Sequence, residues 1–432
     1  MGQVPDRQSL MPEPLHRTMS GQDAKTAMLR NMRSRIAAAF ILQAGLSAYS
    51  CTDETVYSDL RIYASPYAEV DWSNSYRIKS QHHDHTGIDI SRIRAYDAAG
   101  YDAISLMDYS GNPGQTGAWQ QRIWPPELWL PPELLSSLEN IELFIPNAEE
   151  VGIPQHGTSP FLTRYIEGVS GAPSDPSTAP QYGSIAEMFD LIREEGGFPC
   201  LAHPWDYRYE NFGGAYCVEI YTAFAEAKRI AGDPGFTIWD RNATLMLNWD
   251  IALTRNQQAF GIAVNDHFGP YNTDVAATAV DSGKIVVLAS DLSLEAYRAA
   301  FERGAFFAIK DMRTEKRQDP QISRIDIRDD AISIEATGRV TWISSAVPIG
   351  TGTTLLYTAI PANSRYVRAE ISNGPGSAVV YTQAFAVRPR GDIDGDYQVN
   401  AIDDQICRDL QSDDDPDDAV VAACAATSAA TQ

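Results

Sequence analysis

The chain has 432 residues, 44% of them hydrophobic, and a formal net charge of −23, which is the composition of a folded protein of two or three domains. With 57 Asp and Glu against 34 Lys and Arg, a nucleic-acid backbone is excluded as the main partner, because such sites need clustered cations. The acid is concentrated in the tail, where residues 392–418 hold eleven Asp and one Arg.

Residues 1–51 read as a leader. Arg30, Arg33 and Arg35 precede the apolar run IAAAFILQAGLSA at 36–48. That run is too short for a permanent spanning helix and has the length of a signal-peptide core. It ends in Ala48-Tyr49-Ser50-Cys51. The small residues suit signal peptidase, and they also resemble a bacterial lipoprotein box in which Cys51 carries the lipid. The expectation is an exported bacterial protein, whether periplasmic, extracellular or attached to a membrane through a lipidated Cys51. A buried amphipathic helix is the competing reading. With Cys51 acylated, four cysteines remain. In an oxidising compartment either Cys200 with Cys217 or Cys407 with Cys424 could be bridged, and the tail pair is the better candidate. Cys200 and Cys217 read as small buried residues of neighbouring strands.

Residues 52–75 form a lead-in with proline and aromatic residues. Over 76–315 short apolar runs alternate with helical patterns. YDAISLM (101–107), IELFI (141–145), FPCLAH (198–203), YCVEIY (216–221), FGIAV (260–264) and KIVVLA (284–289) read as buried strands. ISRIRAYDAAG, IAEMFDLIREEGG and LSLEAYRAAFERG read as helices, two of them closing on glycine. Such alternation implies an α/β fold with a parallel sheet or barrel. Insertions at 110–133 and 157–182 interrupt it. In the first, Trp119, Trp124 and Trp129 recur every five residues; they either wall a substrate pocket or pack a small core of their own. Over 320–390 strand-like segments separated by turns predict a small β-sandwich.

Of the seven histidines, His16 lies in the leader. His82, His83, His85, His156, His203 and His267 each fall at or just after the C-terminal end of a predicted strand. In a β/α barrel those ends make one face, where sites are built. Imidazoles and carboxylates without thiolates suit Zn, Mn or Fe. Strand alternation turns His82 away from His83 and His85, so it reads as structural.

These segments resemble the PHP (polymerase and histidinol phosphatase) superfamily of metallohydrolases over about residues 66–312. KSQHHDHT resembles the first motif and implies His83 and His85 as ligands, with Asp89 as the following carboxylate. GYDAISLMDYS resembles the second, with Asp108 followed by Tyr109 where the family has histidine. IPNAEEVGIPQHG implies Glu149 (or Glu150) and His156, and GGFPCLAHPW implies His203. FGIAVNDHFG resembles the last motif: His267 takes the histidine position and Asn265 the aspartate position, with Asp266 able to substitute. The resemblance implies a distorted (β/α)7 barrel with two or three divalent metal ions at its C-terminal rim, acting on a small-molecule ester. Phosphoester hydrolysis is the leading expectation. Carboxylester or carbamate hydrolysis on the same metals, and a degenerate surface-binding protein without catalysis, are the alternatives. Tyr109 either donates a hydrogen bond to a developing oxyanion or fills the space of the missing histidine.

The tail segment GDIDGDYQVNAIDDQICRDL (391–410) resembles half of a dockerin, an EF-hand-like calcium loop. Asp392, Asp394 and Asp396 take positions 1, 3 and 5, Gln398 takes 7, Asn400 takes 9 and Asp403 takes 12, hard oxygens at a spacing that wraps Ca²⁺. Tyr397 replaces the glycine usual at position 6, and one loop is present instead of two. The expected role of residues 391–432 is local stability, and the competing reading is an acidic solvated tail.

Overall fold

The computed structural model describes residues 59–85, 91–107, 125–128, 130–151, 156–163, 184–204, 212, 214–237, 240–266, 280–311 and 318–411. They form a mixed α/β structure. The lead-in supplies β1 (Leu60–Ala64). After it come β2 (Tyr76–Gln81), α1 (Ser91–Ala98), β3 (Ala103–Leu106), α2 (Pro132–Leu135), β4 (Leu143–Val151) and β5 (Gly157–Pro160). Next are α3 (Ile185–Glu194), β6 (Cys200–Leu201), β7 (Cys217–Thr222), α4 (Ala223–Ile230), α5 (Pro234–Thr237) and α6 (Arg241–Thr254). β8 (Phe260–Val264), β9 (Gly283–Ala289), α7 (Leu294–Glu302) and β10 (Phe306–Lys310) complete this part. The C-terminal part holds β11 (Ile322–Ile327), β12 (Ala331–Ala336), β13 (Arg339–Ser344), β14 (Val347–Thr351) and β15 (Thr354–Leu356). β16 (Tyr366–Ser372), β17 (Val379–Tyr381), β18 (Phe385–Pro389) and α8 (Ala401–Gln411) end it.

Local chemistry accounts for the helix ends. Ser184 caps α3 by accepting from the N–H of Glu187, and Ser293 caps α7 by accepting from that of Ala296. Each satisfies a donor that the first helical turn leaves unpaired. Gly196 and Gly304 follow the two helices with positive φ, the left-handed conformation that glycine adopts without a Cβ penalty. Met188, Phe189 and Ile192 of α3 and Tyr297, Ala300 and Phe301 of α7 are buried. They share one core with the sheet residues Val218, Ile262, Ile285 and Val287.

The sheet topology positions the site. β2, β3 and β4 are parallel neighbours, and so are β6, β7 and β8. β5 joins the two groups, antiparallel to both β4 and β6. Two reversals restore the direction, so six strands end at one edge, and the start of the reversed β5 lies at that edge too. β9 pairs antiparallel with β2, and β10 with β9. The end strand β8 returns against β9 and β10 through side chains. The Gly283 N–H donates to Asn265 Oδ1 at 2.9 Å, and a Cβ on Gly283 would run into the Val264 carbonyl. Farther along, the Gln383 amide accepts from Gly261 N at 2.7 Å and donates to Gly261 O at 2.9 Å. A side-chain amide there stands in for a missing strand.

The C-terminal strands are continuous with this sheet. β10 pairs with β17, β17 with β16, β16 with β18 and β13, β18 with β1, and β13 with β14. β11, β12 and β15 form a separate three-stranded sheet. Trp342, Val367 and Phe385 share a core with Leu60, Phe307 and Ile309. Asp250 of α6 also crosses to this region. It takes Arg368 in a bidentate pair, both bonds 2.8 Å, and the hydroxyl of Tyr366 at 2.6 Å.

Cys200 and Cys217 lie opposite each other across β6 and β7 and form a disulfide, with a Cα separation of 4.4 Å. The sequence reading placed them on neighbouring strands and ranked them behind the tail pair as a bridge. The register that sets them face to face arises from strand pairing, which spacing along the chain does not encode. Cys407 is disulfide-bonded as well; Cys424 lies outside the described residues.

Candidate metal centre

The segment after β2 alternates in the direction its side chains take. His82 goes into the core, where its ring stacks on Phe301 at 4.7 Å and its Nε2 meets the Tyr297 hydroxyl at 2.6 Å. Burial pushes this imidazole down to about 3 and holds it neutral. That is the structural role expected for it. Asp84 is clamped by Arg92 Nη1 and the Tyr96 hydroxyl of α1, both at 2.6 Å. The two anchors fix the backbone between which His83 and His85 project.

His83, His85 and Asp266 are all buried, and one ligand atom of each lies within 4.8 Å of the others. Asp266 Oδ1 is 3.3 Å from His83 Nε2 and 3.9 Å from His85 Nε2. Bonds of about 2.1 Å to a tetrahedral ion would set ligand atoms about 3.4 Å apart. The donor set therefore fits a divalent transition metal in both chemistry and spacing. The chain continues past the trio. The His203 ring is 6.0 Å from that of His83, and the His156 ring is 5.0 Å from that of His203. His203 follows β6 and His156 precedes β5, so four strands deliver the group to one edge.

Two residues of this edge have left-handed backbone, His203 with φ 27° and Asp266 with φ 47°. Such strain persists only where neighbours over-determine it. Asp266 donates its N–H to the His83 carbonyl at 2.7 Å, and its Oδ2 accepts from Thr222 Oγ1 at 3.3 Å. His203 donates its N–H to Glu219 Oε2 at 2.7 Å. The other oxygen, Glu219 Oε1, faces His83 Nδ1 at 2.5 Å.

Asn265, the first choice for the aspartate position, has a different task. Its Nδ2 donates to the Tyr96 hydroxyl at 2.8 Å and to the Val280 carbonyl, while its Oδ1 accepts from Gly283. The amide is spent on the contact between β8 and β9, and the neighbouring Asp266 carries the carboxylate. Glu149 lies on β4, which ends at the same edge. Asp89, Asp108, Tyr109, His267 and the three tryptophans of the first insertion lie outside the described residues.

Sequence reasoning missed Glu219, Thr222 and the Arg92–Asp84–Tyr96 anchor. Glu219 did leave a signal: it is the single charge inside YCVEIY, a run otherwise fit only for burial, and a buried carboxylate demands specific partners.

In the tail, Asp392, Asp394 and Asp403 bring ligand atoms within 4.8 Å of one another. Asp396 stays out of that group, with its Oδ1 accepting from Gln398 N at 2.7 Å, and Asn400 Oδ1 accepts from Ile402 N at 2.8 Å. Tyr397 adopts φ 68° at the position where glycine is usual, and its ring packs 3.3 Å from the Arg365 guanidinium.

No family model matches the chain, and no curated protein matches it. Among solved structures it is similar to a two-domain protein containing a predicted PHP-like metal-dependent phosphoesterase from Bacteroides vulgatus, at 15% identity and a TM-score of 0.38, over 73% of this chain and 96% of that one. It is also similar to PsfC from Pseudomonas syringae, at 14% identity and a TM-score of 0.31, over 49% of this chain and 82% of that one. Superpositions this loose leave the side-chain geometry as the basis for a functional reading.

Proposed function

We propose that the chain is an exported metal-dependent hydrolase of ester bonds, with phosphoesters the favoured class. One observation carries this reading: two buried imidazoles approach the same buried carboxylate oxygen at 3.3 and 3.9 Å, at the common end of parallel strands. His83, His85 and Asp266 would hold one divalent ion of Zn, Mn or Fe, and His203 with His156 would serve a second. A bound ion supplies Lewis acidity and makes a coordinated water more acidic. The chain's own residues do the rest. Glu219 and Thr222 orient ligands, and the Asp84 anchor fixes the turn. Tyr109, Asp108, Asp89, Glu149 and His267 belong to the same proposal through the order of the sequence motifs, which also favours phosphoesters.

The architecture that goes with it is a distorted barrel over 76–315, a small sandwich over 320–390 and a calcium loop with an acidic tail over 391–432. The leader at 1–51 would direct export, with Cys51 as a membrane anchor if lipidated. Among the described residues no helix is long and apolar enough to cross a membrane.

The test is metal analysis of the purified protein, followed by a panel of p-nitrophenyl phosphate, bis-p-nitrophenyl phosphate and p-nitrophenyl acetate with Mn or Zn. Bound metal and phosphoester turnover, both lost in His83→Ala, are expected. Turnover of acetate alone would move the assignment to carboxylesters. A metal-free protein inert on the whole panel would overturn it in favour of a binding protein.

A further inference from the structure

Glu219 is fully buried on β7. Among the described residues its one ion-pair partner is His83, with no Lys or Arg beside it. A carboxylate taken out of water costs several kcal/mol unless a cation or several N–H donors compensate it. Glu219 spends one oxygen on each of two residues that carry candidate ligands. Oε1 faces Nδ1 of His83 at 2.5 Å, and Oε2 takes the main-chain N–H of His203 at 2.7 Å.

The first contact sets a tautomer. A proton held on Nδ1 by a carboxylate leaves Nε2 as the lone-pair nitrogen, and Nε2 is the atom 3.3 Å from Asp266. The second contact holds a backbone that L-residues avoid, since His203 has φ 27°. Because a single rigid carboxylate makes both, it also fixes the spacing between the two histidines, whose rings lie 6.0 Å apart.

From this geometry we infer that Glu219 is a positioning residue for the metal centre: it preforms the site by holding the tautomer of His83 and the backbone of His203 together, without ligating the ion. The inference rests on the metal-centre reading above. The charge logic agrees with it. An ion on Nε2 places positive charge on the far side of the imidazole, and Glu219 then has a counter-charge that no Lys or Arg among the described residues supplies. Ligand histidines held through their second nitrogen by a carboxylate bind metal about 10–100-fold more tightly than without it.

The test compares wild type, Glu219→Gln and Asp250→Asn, the last altering a buried carboxylate remote from the ligands. Zn²⁺ affinity is read by competition with a chromophoric chelator in saturating calcium. The histidine tautomers of the metal-free protein are read by ¹⁵N NMR, with His83→Gln assigning the resonance. Glu219→Gln keeps the shape but has one acceptor oxygen for two donors; with that oxygen on the His203 N–H, its amide N–H is turned against Nδ1 of His83. It should weaken Zn²⁺ binding about 10–100-fold and release the fixed Nδ1–H tautomer of His83. Asp250→Asn should lower the melting temperature and leave Zn²⁺ affinity unchanged. A folded Glu219→Gln protein that binds Zn²⁺ like wild type overturns the inference while the metal reading stands. If wild type binds no Zn²⁺, the metal reading fails and the inference with it, even where the tautomer clamp itself is seen.

Discussion

Two adjacent residues at the end of β8 show how finely the site is specified. Asp266 turns its carboxylate to the histidines, while Asn265 turns its amide to Tyr96, Val280 and Gly283. Asn265 needs both halves of an amide there, because it accepts from one backbone and donates to another. Asn265→Asp should therefore cost about 1–3 kcal/mol of stability, since a carboxylate cannot donate to the buried Val280 carbonyl, and leave metal affinity nearly intact. Asp266→Asn should do the opposite, weakening metal binding at least about tenfold with a small change in melting temperature. Chelator competition and thermal melts on the two variants check the pair; equal metal affinity in wild type and Asp266→Asn would remove Asp266 from the ligand set. The motif was legible in the sequence at this position, but the choice between neighbours was not. Strict strand alternation would have made the two point to opposite faces in a fixed order. The left-handed turn at Asp266 breaks that alternation, and nothing in the letters Asn-Asp announces it.

Elements were legible where burial on both faces wrote a long apolar run. The runs at 101–107, 216–221, 260–264 and 284–289 match β3, β7, β8 and β9 to within two residues at each end. β5 was invisible because Gly157–Pro160 has no apolar pattern; its partners on both sides impose the strand. β10 was missed because it starts within four residues of the end of α7, with no turn residues beyond Gly304 to mark a new element. The tie between α6 and β16 was equally hidden, as Asp250 and Arg368 are 118 residues apart. That bidentate pair is almost fully buried, with side chains 2% and 3% exposed. Removing one partner strands the other charge. Asp250→Ala should cost about 3–5 kcal/mol, measured by urea unfolding, whereas Asp250→Leu with Arg368→Met should recover most of the loss. A single variant as stable as wild type would show that the pair contributes nothing to holding these elements together.

At the scale of the molecule, three of the tail's eleven aspartates form a built cluster. Asp392, Asp394 and Asp403 converge, and their loop is tied to distant parts of the chain. Tyr397 stacks on Arg365 and its hydroxyl reaches Asn256 Oδ1, just after α6, at 3.3 Å. Arg388 of β18 lies against Gly395 and over the Tyr63 ring of β1. Three carboxylates this close repel one another, so the loop is held in this shape against its own charge unless a cation offsets it. Calcium would reverse that sign and fasten the tail, β18 and the end of α6 together. An ion that binds only the folded loop stabilises by RT ln(1 + [L]/Kd), about 2.7 kcal/mol at a hundredfold excess over Kd. Adding calcium to chelator-treated protein should therefore raise the melting temperature and slow proteolysis after residue 390, and Asp392→Ala should abolish both effects. Hydrolytic activity at permissive temperature should not change, because the loop contributes nothing to the His83 cluster. Tyr397→Gly separates two opposing terms: it relieves roughly 1–2 kcal/mol of left-handed strain but gives up the Arg365 stack, so a stabilised variant means strain dominates and a destabilised one means docking does. Identical melting curves with calcium and with chelator would mean that the cluster binds no calcium and that backbone N–H donors alone hold Asp392 and Asp403.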